Sequence, residues 1–440
     1  MACLSNSPFG TFASAWLVRS YDAGKGCCSL ASSSSQHSSA TEMKPKIAIV
    51  LGVCSETAAI VKERDAVEAS KMVDHVSELV STRVWEGAER FLKDYGALFP
   101  DDILVIVYSS DCRLFAAILA AHGRQFGCRV ITIPMIPRVD SDLGSRLTEF
   151  LPSHNSLSGS RMLVVTLELN TMSHASVFRN AVSPYESDRL DVFRAINVSD
   201  QFFELAFNIT ALELGRINAG MIEWLNEAEI LQIKTSSGSD LEVCLDPERF
   251  RWISNRGARR PNAFVVFPAG EVATYSDRVN GVFVADGAFN ITAYTKMDAR
   301  LENAPVTLEI EDSKLVNFFC DDEKVSKLLS RSFGYENADR IGEVGFGTNS
   351  GIGEFISMNS HLNERHPGVH LGFGQNNQLR AVVPYSSPIH LDMISSDSTL
   401  TSRRVTTRID SQHLPKSDSA HPPGVYDEDI DGDCCGLFTH

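Results

Sequence analysis

The fold of this chain is decided by R-I-G-E-V-G-F-G-T-N-S-G-I-G (Arg340–Gly353), followed by N-E-R-H-P-G-V-H-L-G-F-G-Q (Asn363–Gln375) and I-H-L-D-M-I (Ile389–Ile394). Each segment places a histidine or a carboxylate in or beside a short apolar or glycine-rich run. Residues two apart project from the same face of a strand. His390 and Asp392 are therefore predicted to point into one site together.

Glu343, His370, His390 and Asp392 are all residue types that bind divalent metal ions. The run around His370 predicts a second strand with an inward-facing imidazole. Burial of such polar groups is costly unless they are paired or coordinated, and histidine with aspartate or glutamate is a usual set of ligands for a divalent cation. From the residues alone, two alternatives remain: a metal site, or histidines that are hydrogen-bonded within the core.

Composition excludes several classes of protein. The net charge of −16 argues against a nucleic-acid partner, because phosphate binding needs lysine and arginine. No apolar run is long enough to predict a membrane span. The ten cysteines form no C-x-x-C pair, which favours neither a zinc cluster nor a disulfide framework. We therefore predict a reducing, cytoplasmic location for this 440-residue chain.

We predict four regions along the chain. The first is serine-rich and acid-poor, which is typical of a disordered leader or, alternatively, of an organelle transit peptide. An α/β domain and a metal-site domain follow, with a break in periodicity near N-R-G-A-R-R-P between them. The last region is polar and predicted to be mobile. Their predicted limits are 1–43, 44–258, 259–399 and 400–440.

The predicted fold class is α/β, with an N-terminal parallel sheet and a C-terminal, mostly antiparallel α+β domain. Apolar runs predict strands near 46–51, 101–107, 129–134 and 161–167, with helices over 66–95 and from an N-cap at Asp111 to about 127. Strands alternating with helices at this spacing indicate parallel βαβ units. The pattern over 192–231 predicts helix, and 230–245 predicts a hairpin around a glycine turn. No glycine-rich phosphate loop opens these helices, which argues against a nucleotide site.

Four ordered motifs resemble the thermophilic metalloaminopeptidase family of the aminopeptidase T and S type. They are P-A-G-E-V at 268–272, G-E-V-G-F-G-T-N-S at 342–350, E-R-H-P-G-V-H-L-G-F-G at 364–374 and S-P-I-H-L-D at 387–392. The third is one residue shorter before its histidine than the family pattern. The resemblance extends loosely over 46–394 and specifically over the last third of that range.

This resemblance implies a set of site residues and cofactors. Glu271, Glu343, His370, His390 and Asp392 are implied to bind two divalent ions (zinc, cobalt, manganese or magnesium), and Glu271 and Glu343 are implied to be catalytic. Such an ion pair polarises a scissile carbonyl and lowers the pKa of a bound water. The implied activity is removal of N-terminal residues from a small peptide or related small molecule by a homodimeric enzyme.

The segment G-Q-N-N departs from the family pattern. It contains Gln375 and Asn377, which we assign to substrate binding, but the family has a tyrosine where this chain has Asn377. An amide cannot replace a phenol as an acid with the same pKa.

Two alternatives to the peptidase function remain. The chain also resembles 2,5-dihydroxypyridine 5,6-dioxygenase, which likewise ends in H-L-D and uses one Fe(II) held by two histidines and a carboxylate. His370, His390 and Asp392 supply such a set, although the first family histidine aligns near Glu343. The third possibility is a non-catalytic relative that retains the scaffold as a binding module for a peptide.

The leader gives a first test of the predicted regions. Its sequence offers too little apolar surface to offset the conformational entropy that ordering would cost. We therefore expect deletion of residues 1–42 to change the melting temperature by no more than about 2 °C, a shift that corresponds to less than about 1 kcal/mol in a chain of this size. A larger fall in a calorimetric scan would show that the leader stabilises the fold.

Overall fold

The structure is a computed structural model that describes residues 80–421, apart from 154–156, 158–159, 186–187, 260–263 and 406. The predicted leader, the predicted strand at 46–51, the first part of the helix over 66–95 and the end of the predicted tail lie outside the described residues. All of the described residues belong to one compact unit.

Strands and helices are numbered here in chain order over the described residues. The strands are β1 (Ile103–Ser109), β2 (Arg129–Met135), β3 (Met162–Leu167), β4 (Leu190–Ala195), β5 (Ile230–Lys234), β6 (Asp240–Cys244), β7 (Ile253–Asn255), β8 (Phe264–Phe267), β9 (Glu271–Thr274), β10 (Val279–Ala285), β11 (Ala288–Ile291), β12 (Val306–Glu311), β13 (Lys314–Phe319), β14 (Ile341–Gly347), β15 (Gly368–Gly374), β16 (His390–Ile394), β17 (Thr399–Ser402) and β18 (Ile409–Asp410). The helices are α1 (Thr82–Arg90), continued by a π-helical turn (Phe91–Tyr95), α2 (Arg113–Gln125), preceded by a 3-10 turn (Ser110–Cys112), α3 (Leu143–Phe150), α4 (Ala175–Val182), α5 (Asp200–Ala206), α6 (Ala211–Ala228), α7 (Glu323–Ser332) and α8 (His361–Arg365).

A five-stranded parallel sheet confirms the predicted βαβ units. Its strand order is β2-β1-β3-β4-β8, and all of its pairings are parallel. Alternate residues of β1 enter two different cores: Leu104 and Ile106 pack with α1 and α2, whereas Val105 and Val107 pack with α3 and α4. This two-sided burial explains why the strand sequence is almost continuously apolar.

The prediction of helix over 192–231 is wrong at its start, because Leu190–Ala195 is strand β4. A short apolar run has no periodicity that separates a buried strand from a buried helix. Two helices follow β4, and each begins at a hydroxyl that accepts a backbone N–H: Ser199 caps α5 and Thr210 caps α6. Helix α2 begins at Arg113, two residues after the predicted N-cap.

Two antiparallel sheets confirm the predicted character of the C-terminal part. One has the order β13-β12-β10-β6-β5-β17-β18, and it contains the predicted hairpin as β5 and β6. The other has the order β11-β16-β15-β14-β9-β7, and we call it the site sheet. Strand β7 lies before the predicted boundary yet belongs to the site sheet, whereas β8 lies after it and joins the parallel sheet. The division into domains stays a prediction.

The start of the predicted tail needs correction, because it forms strands. Leu400 in β17 and Ile409 in β18 are both buried, and β17 pairs with β5. Two isolated apolar residues in a polar segment give little periodicity, so the sequence offered no sign of these strands.

Two further features concern membrane-spanning helices and disulfide bonds. Helices of the length and hydropathy that a bilayer requires do not occur among the described residues. The described cysteines, Cys112, Cys128, Cys244 and Cys320, are all free.

An aromatic core holds the parallel sheet against the segment that leads to the site. Phe91 is fully buried, and its ring lies with centroid distances of 5.1–6.4 Å from five other rings: Phe193, Phe202, Phe203, Phe207 and Phe267. Phe267 ends β8 and lies four residues before Glu271. The same packing therefore fixes the path of the chain into the site sheet.

We expect Phe91→Ala to lower the free energy of unfolding by about 3–5 kcal/mol, since it removes a ring from this core and leaves a cavity. Phe99→Ala is the matched control because the Phe99 side chain is 66% exposed, and we expect it to change stability by no more than about 0.5 kcal/mol. Urea denaturation followed by tryptophan fluorescence measures both. Similar losses in the two variants would contradict the assignment of the core.

Candidate metal centre

Five predicted site residues converge on four neighbouring strands of the site sheet. Glu271 lies on β9, Glu343 on β14, His370 on β15, and His390 and Asp392 on β16. Each of these residues is at most 3% exposed. The predicted convergence is therefore present, although Glu271 and Asp392 are 121 positions apart in sequence (392 − 271).

Glycines opposite these residues make the convergence possible. Every one of the five faces a glycine on the adjacent strand: the pairs are Glu271 with Gly347, Glu343 and Asp392 with Gly372, His370 with Gly345, and His390 with Gly374. A Cβ atom at Gly345 would lie 1.9 Å from His370 Nε2, and one at Gly372 would lie 2.9 Å from Asp392 Oδ1. The space that these two glycines leave empty is occupied by the side chains of the site.

The ligand-type atoms form two groups that share one carboxylate. Glu271, Glu343 and His370 form the first group, and Glu343, His390 and Asp392 form the second, with the atoms of each group within 4.8 Å of one another. His370 Nε2 lies 2.9 Å from Glu271 Oε1 and 3.3 Å from Glu343 Oε1. His390 Nε2 lies 3.0 Å from Asp392 Oδ1. Glu343 thus belongs to both groups.

The residues fit a divalent metal on chemical grounds. Both carboxylate oxygens of Glu271 are buried, and their partners are ligand-type or charged groups: Oε1 lies near His370 Nε2 and Oε2 contacts Arg365 Nη1. His390 Nδ1 lies 2.8 Å from the main-chain carbonyl oxygen of Gln375. A proton on Nδ1 leaves the Nε2 lone pair for a ligand, the arrangement that orients histidine at metal sites. Three carboxylates with two imidazoles suit hard or borderline divalent ions.

In the absence of ions, the same residues neutralise one another. Burial opposes protonation of both histidines, but the Asp392 carboxylate outweighs it and raises the pKa of His390 to about 10. Burial is likewise outweighed at His370, where hydrogen bonds to Glu271 and Glu343 raise the pKa well above its ordinary value. Metal binding would have to displace these two protons.

Helix α8 adds two charged residues that the sequence analysis did not assign to the site. Arg365 is fully buried, and its Nη1 contacts Glu271 Oε2 and lies 3.1 Å from Glu364 Oε2. Burial, followed by the charge of Asp392, raises the pKa of Glu364 well above its ordinary value. The sequence signal that could have identified them is the adjacent Glu364-Arg365 pair in the segment Asn363–Gln375. Charged residues are rarely buried without partners, and these two residues are partners.

Asn377 and Gln375, the two predicted substrate-binding residues, have other contacts. Asn377 Nδ2 donates to Glu343 Oε2 at 3.1 Å, and its Oδ1 accepts from Gln378 Nε2 at 2.7 Å. The Gln375 side chain accepts from Ser387 N and donates to the Asn376 carbonyl oxygen. Asn377 therefore holds Glu343 in place, where the resembling family has a phenol.

A pocket approaches the cluster from the parallel sheet. Its lining includes Asn197, which follows β4, together with Asp392 and His361. His361 Nδ1 donates to Asn197 Oδ1 at 2.7 Å, because the Asn197 amide group donates to the Leu169 and Asn359 carbonyl oxygens and so leaves Oδ1 as the acceptor. Burial, followed by the charge of Arg365, lowers the pKa of His361 to about 3. This neutral ring therefore presents the Nε2 lone pair to the pocket. The sequence analysis missed His361, which lies in a five-residue helix without periodicity.

The fold and the buried cluster together define an α/β protein with a candidate metal centre. A family profile described as crocagin biosynthetic protein CgnE/B matches residues 273–399. This range is less than a third of the chain; it contains Glu343, His370, His390 and Asp392 and begins two residues after Glu271. Among proteins of curated function, none matches the chain in sequence.

Two solved structures are similar to the chain at low identity. One is 2,5-dihydroxypyridine dioxygenase from Pseudomonas putida, with 14% identity and a TM-score of 0.47, covering 77% of this chain and 96% of that one. The other is AmpT from Thermus thermophilus, with 16% identity and a TM-score of 0.46, covering 74% of this chain and 97% of that one. These are the two kinds of enzyme that the sequence motifs resemble, and similarity at this level does not decide between them.

The glycine at position 345 gives a direct test of the site. We expect Gly345→Ala to displace the His370 ring and weaken divalent-metal binding by about tenfold to a hundredfold, the usual effect of disturbing a residue that orients a ligand. Gly353→Ala is the matched control, because a Cβ atom there meets nothing within 4 Å. Competition with a fluorescent chelator measures the affinity, and circular dichroism verifies that both variants fold. Unchanged affinity in folded Gly345→Ala would remove His370 from the ligand set.

Proposed function

We propose that this protein is a metal-dependent, aminopeptidase-like hydrolase that removes N-terminal residues from peptides through a metal-activated water. The observation that carries the proposal is the sharing of Glu343 by the two ligand groups. A carboxylate between two sites is the feature of two-ion hydrolytic centres, in which the ions polarise a carbonyl and activate water. Zinc, cobalt, manganese and magnesium are the candidate ions.

The residues of the chain would divide the work as follows. Glu271 and His370 would hold one ion, His390 and Asp392 the other, and Glu343 both. Arg365 fixes Glu271 by an ion pair. Every one of these side chains is buried, and Asp392 also lines the pocket. A carboxylate-rich, dry site strengthens each electrostatic contact with a bound substrate.

Support for a dioxygenase is weaker. One Fe(II) in such an enzyme needs two histidines and a carboxylate around a single position. In the part of the chain that the structure describes, each of the two groups contains one histidine, and the set of His370, His390 and Asp392 is not among them.

A peptide-binding module without catalysis is the second candidate, and a specific observation favours it. Three carboxylates (Glu271, Glu343 and Asp392) face Arg365 and two histidines whose pKa values are raised, so opposite charges compensate one another in the ion-free cluster. Such a cluster is compatible with burial when no metal is bound. The family profile, whose description names a biosynthetic protein, agrees with either candidate. A homodimer and a cytoplasmic location stay predictions.

Glu343→Gln tests the first proposal, because it removes the shared charge and keeps the shape. We expect wild-type protein purified without chelators to hold about two equivalents of divalent metal and the variant one or none. Turnover of a dipeptide and of an amino-acyl arylamide is expected to fall by at least about a hundredfold. The matched control is Glu354→Gln, an exposed glutamate outside the cluster.

The remaining outcomes separate the candidate functions. If the protein holds one equivalent of iron and consumes oxygen in the presence of a dihydroxylated pyridine, the dioxygenase function would be supported in place of the hydrolase function. A metal-free wild-type protein without turnover that nevertheless binds peptides would favour the binding module. Equal turnover in Glu343→Gln and wild type would refute the two-ion centre.

A further inference from the structure

The pocket beside the cluster is built at the carboxyl ends of three parallel strands. Arg138 lies three residues after β2, Asn170 three residues after β3, and Asn197 two residues after β4, and all three line it. Ligands of open parallel sheets bind at this edge. The opposite wall comes from the site sheet and includes Asp392. A molecule in the pocket would therefore contact residues of both the parallel sheet and the site sheet.

Among the described residues that line this pocket, two are formally charged, and they have opposite signs. These are Arg138 and Asp392; the other lining residues are neutral and include four asparagines and two threonines. His361 is neutral as well, with its free Nε2 as an acceptor. The pocket thus has one cationic contact and one anionic contact, separated by amide and hydroxyl groups.

Arg138 has no ion-pair or hydrogen-bond partner among the described residues. Its nearest acid in sequence, Asp140, is already engaged, since its carboxylate accepts the Ile136 N–H at 2.8 Å and pairs with Arg146. Arg138 is exposed, and an arginine without a carboxylate partner can bind planar anions, because its guanidinium donates two parallel hydrogen bonds to them.

The backbone at Arg138 is strained, and its surroundings hold it in that conformation. Its φ is 68°, in the left-handed region that bulky residues rarely adopt. A hydrogen bond of 2.9 Å from Val139 N to the Pro137 carbonyl oxygen closes a tight turn around it. His174 Nε2 donates to the Ile136 carbonyl oxygen at 2.9 Å and ties the turn to the next loop. Strain of this kind persists where contacts over-determine it, as in ligand clamps.

The strand order gives the length of the pocket wall that the parallel sheet contributes. Positions after β2 and β4 are three strands apart, about 14 Å at about 4.8 Å per strand. An extended Arg138 side chain shortens that span. The remaining length fits an extended peptide of two or three residues at about 3.3–3.6 Å each.

We infer that the pocket binds a short zwitterionic peptide, with its free carboxylate on Arg138 and its free amino group toward Asp392 and His361. The placement of the peptide amino group beside the cluster rests on the proposed function. The binding of the peptide carboxylate by Arg138 does not depend on it. Arg138 is therefore a specificity residue that selects di- and tripeptides over longer or amidated chains.

Calorimetry on the full chain tests the inference with three probes: the dipeptide leucyl-alanine, its C-terminal amide and its N-acetyl derivative. We expect wild type to bind the dipeptide at least about tenfold more tightly than either derivative, the value of one charge-assisted contact. Arg138→Met should lose the preference for acid over amide and keep the preference for free amine over acetyl. Arg83→Met, at an exposed arginine on α1, should keep both.

Equal affinity of wild type for acid and amide, an unchanged preference in Arg138→Met, or no dipeptide binding at all would overturn the inference. The experiment distinguishes failure of this inference from failure of the hydrolase proposal. Dipeptide binding with the expected preferences and no turnover would leave the pocket assignment and remove the hydrolase. Arylamide turnover without any acid preference would do the reverse.

Discussion

The register of the site sheet is the constraint on which the candidate centre depends. Five polar side chains meet because each faces a glycine across a strand pair, and at Gly345 and Gly372 a methyl group would collide with them. A one-residue slip would turn every side chain of a strand to the other face. The glycines therefore make room for the site, but they also lower the stability of the sheet, since glycine in a strand interior weakens it.

Burial sets the second condition, because charges in a dry sheet must be compensated. The three carboxylates have Arg365 and two protonated histidines as partners when no ion is present. Removal of one partner from such a set leaves an uncompensated buried charge, which is far costlier than loss of the whole pair. The positive charge that compensates the carboxylates can therefore come either from metal ions or from protons on the two histidines. Arg365 supplies a positive charge in both cases.

The sequence predicted those parts of the structure that follow from short-range periodicity. The two-residue spacing placed His390 and Asp392 on one face of β16, and short apolar runs located β1, β2 and β3. Glu271 was found only through a motif resemblance, since no local pattern relates it to residues far along the chain. Glu364 and Arg365 were missed because α8 is too short to show a helical period, and β4 because its apolar run fits either element. Long-range pairing decides each of these cases.

The architecture also explains why charge opposition appears in the pocket. The parallel sheet exposes loop residues at its carboxyl edge, where Arg138 follows β2, whereas the site sheet contributes Asp392 from a strand interior. A strained loop can hold an unpaired cation near solvent, because hydration offsets part of its cost. An anion can lie at the buried end only where other groups neutralise it, as His390 does for Asp392. The order of charges along the pocket, cation at the loop edge and anion at the core, therefore follows from which sheet supplies each wall.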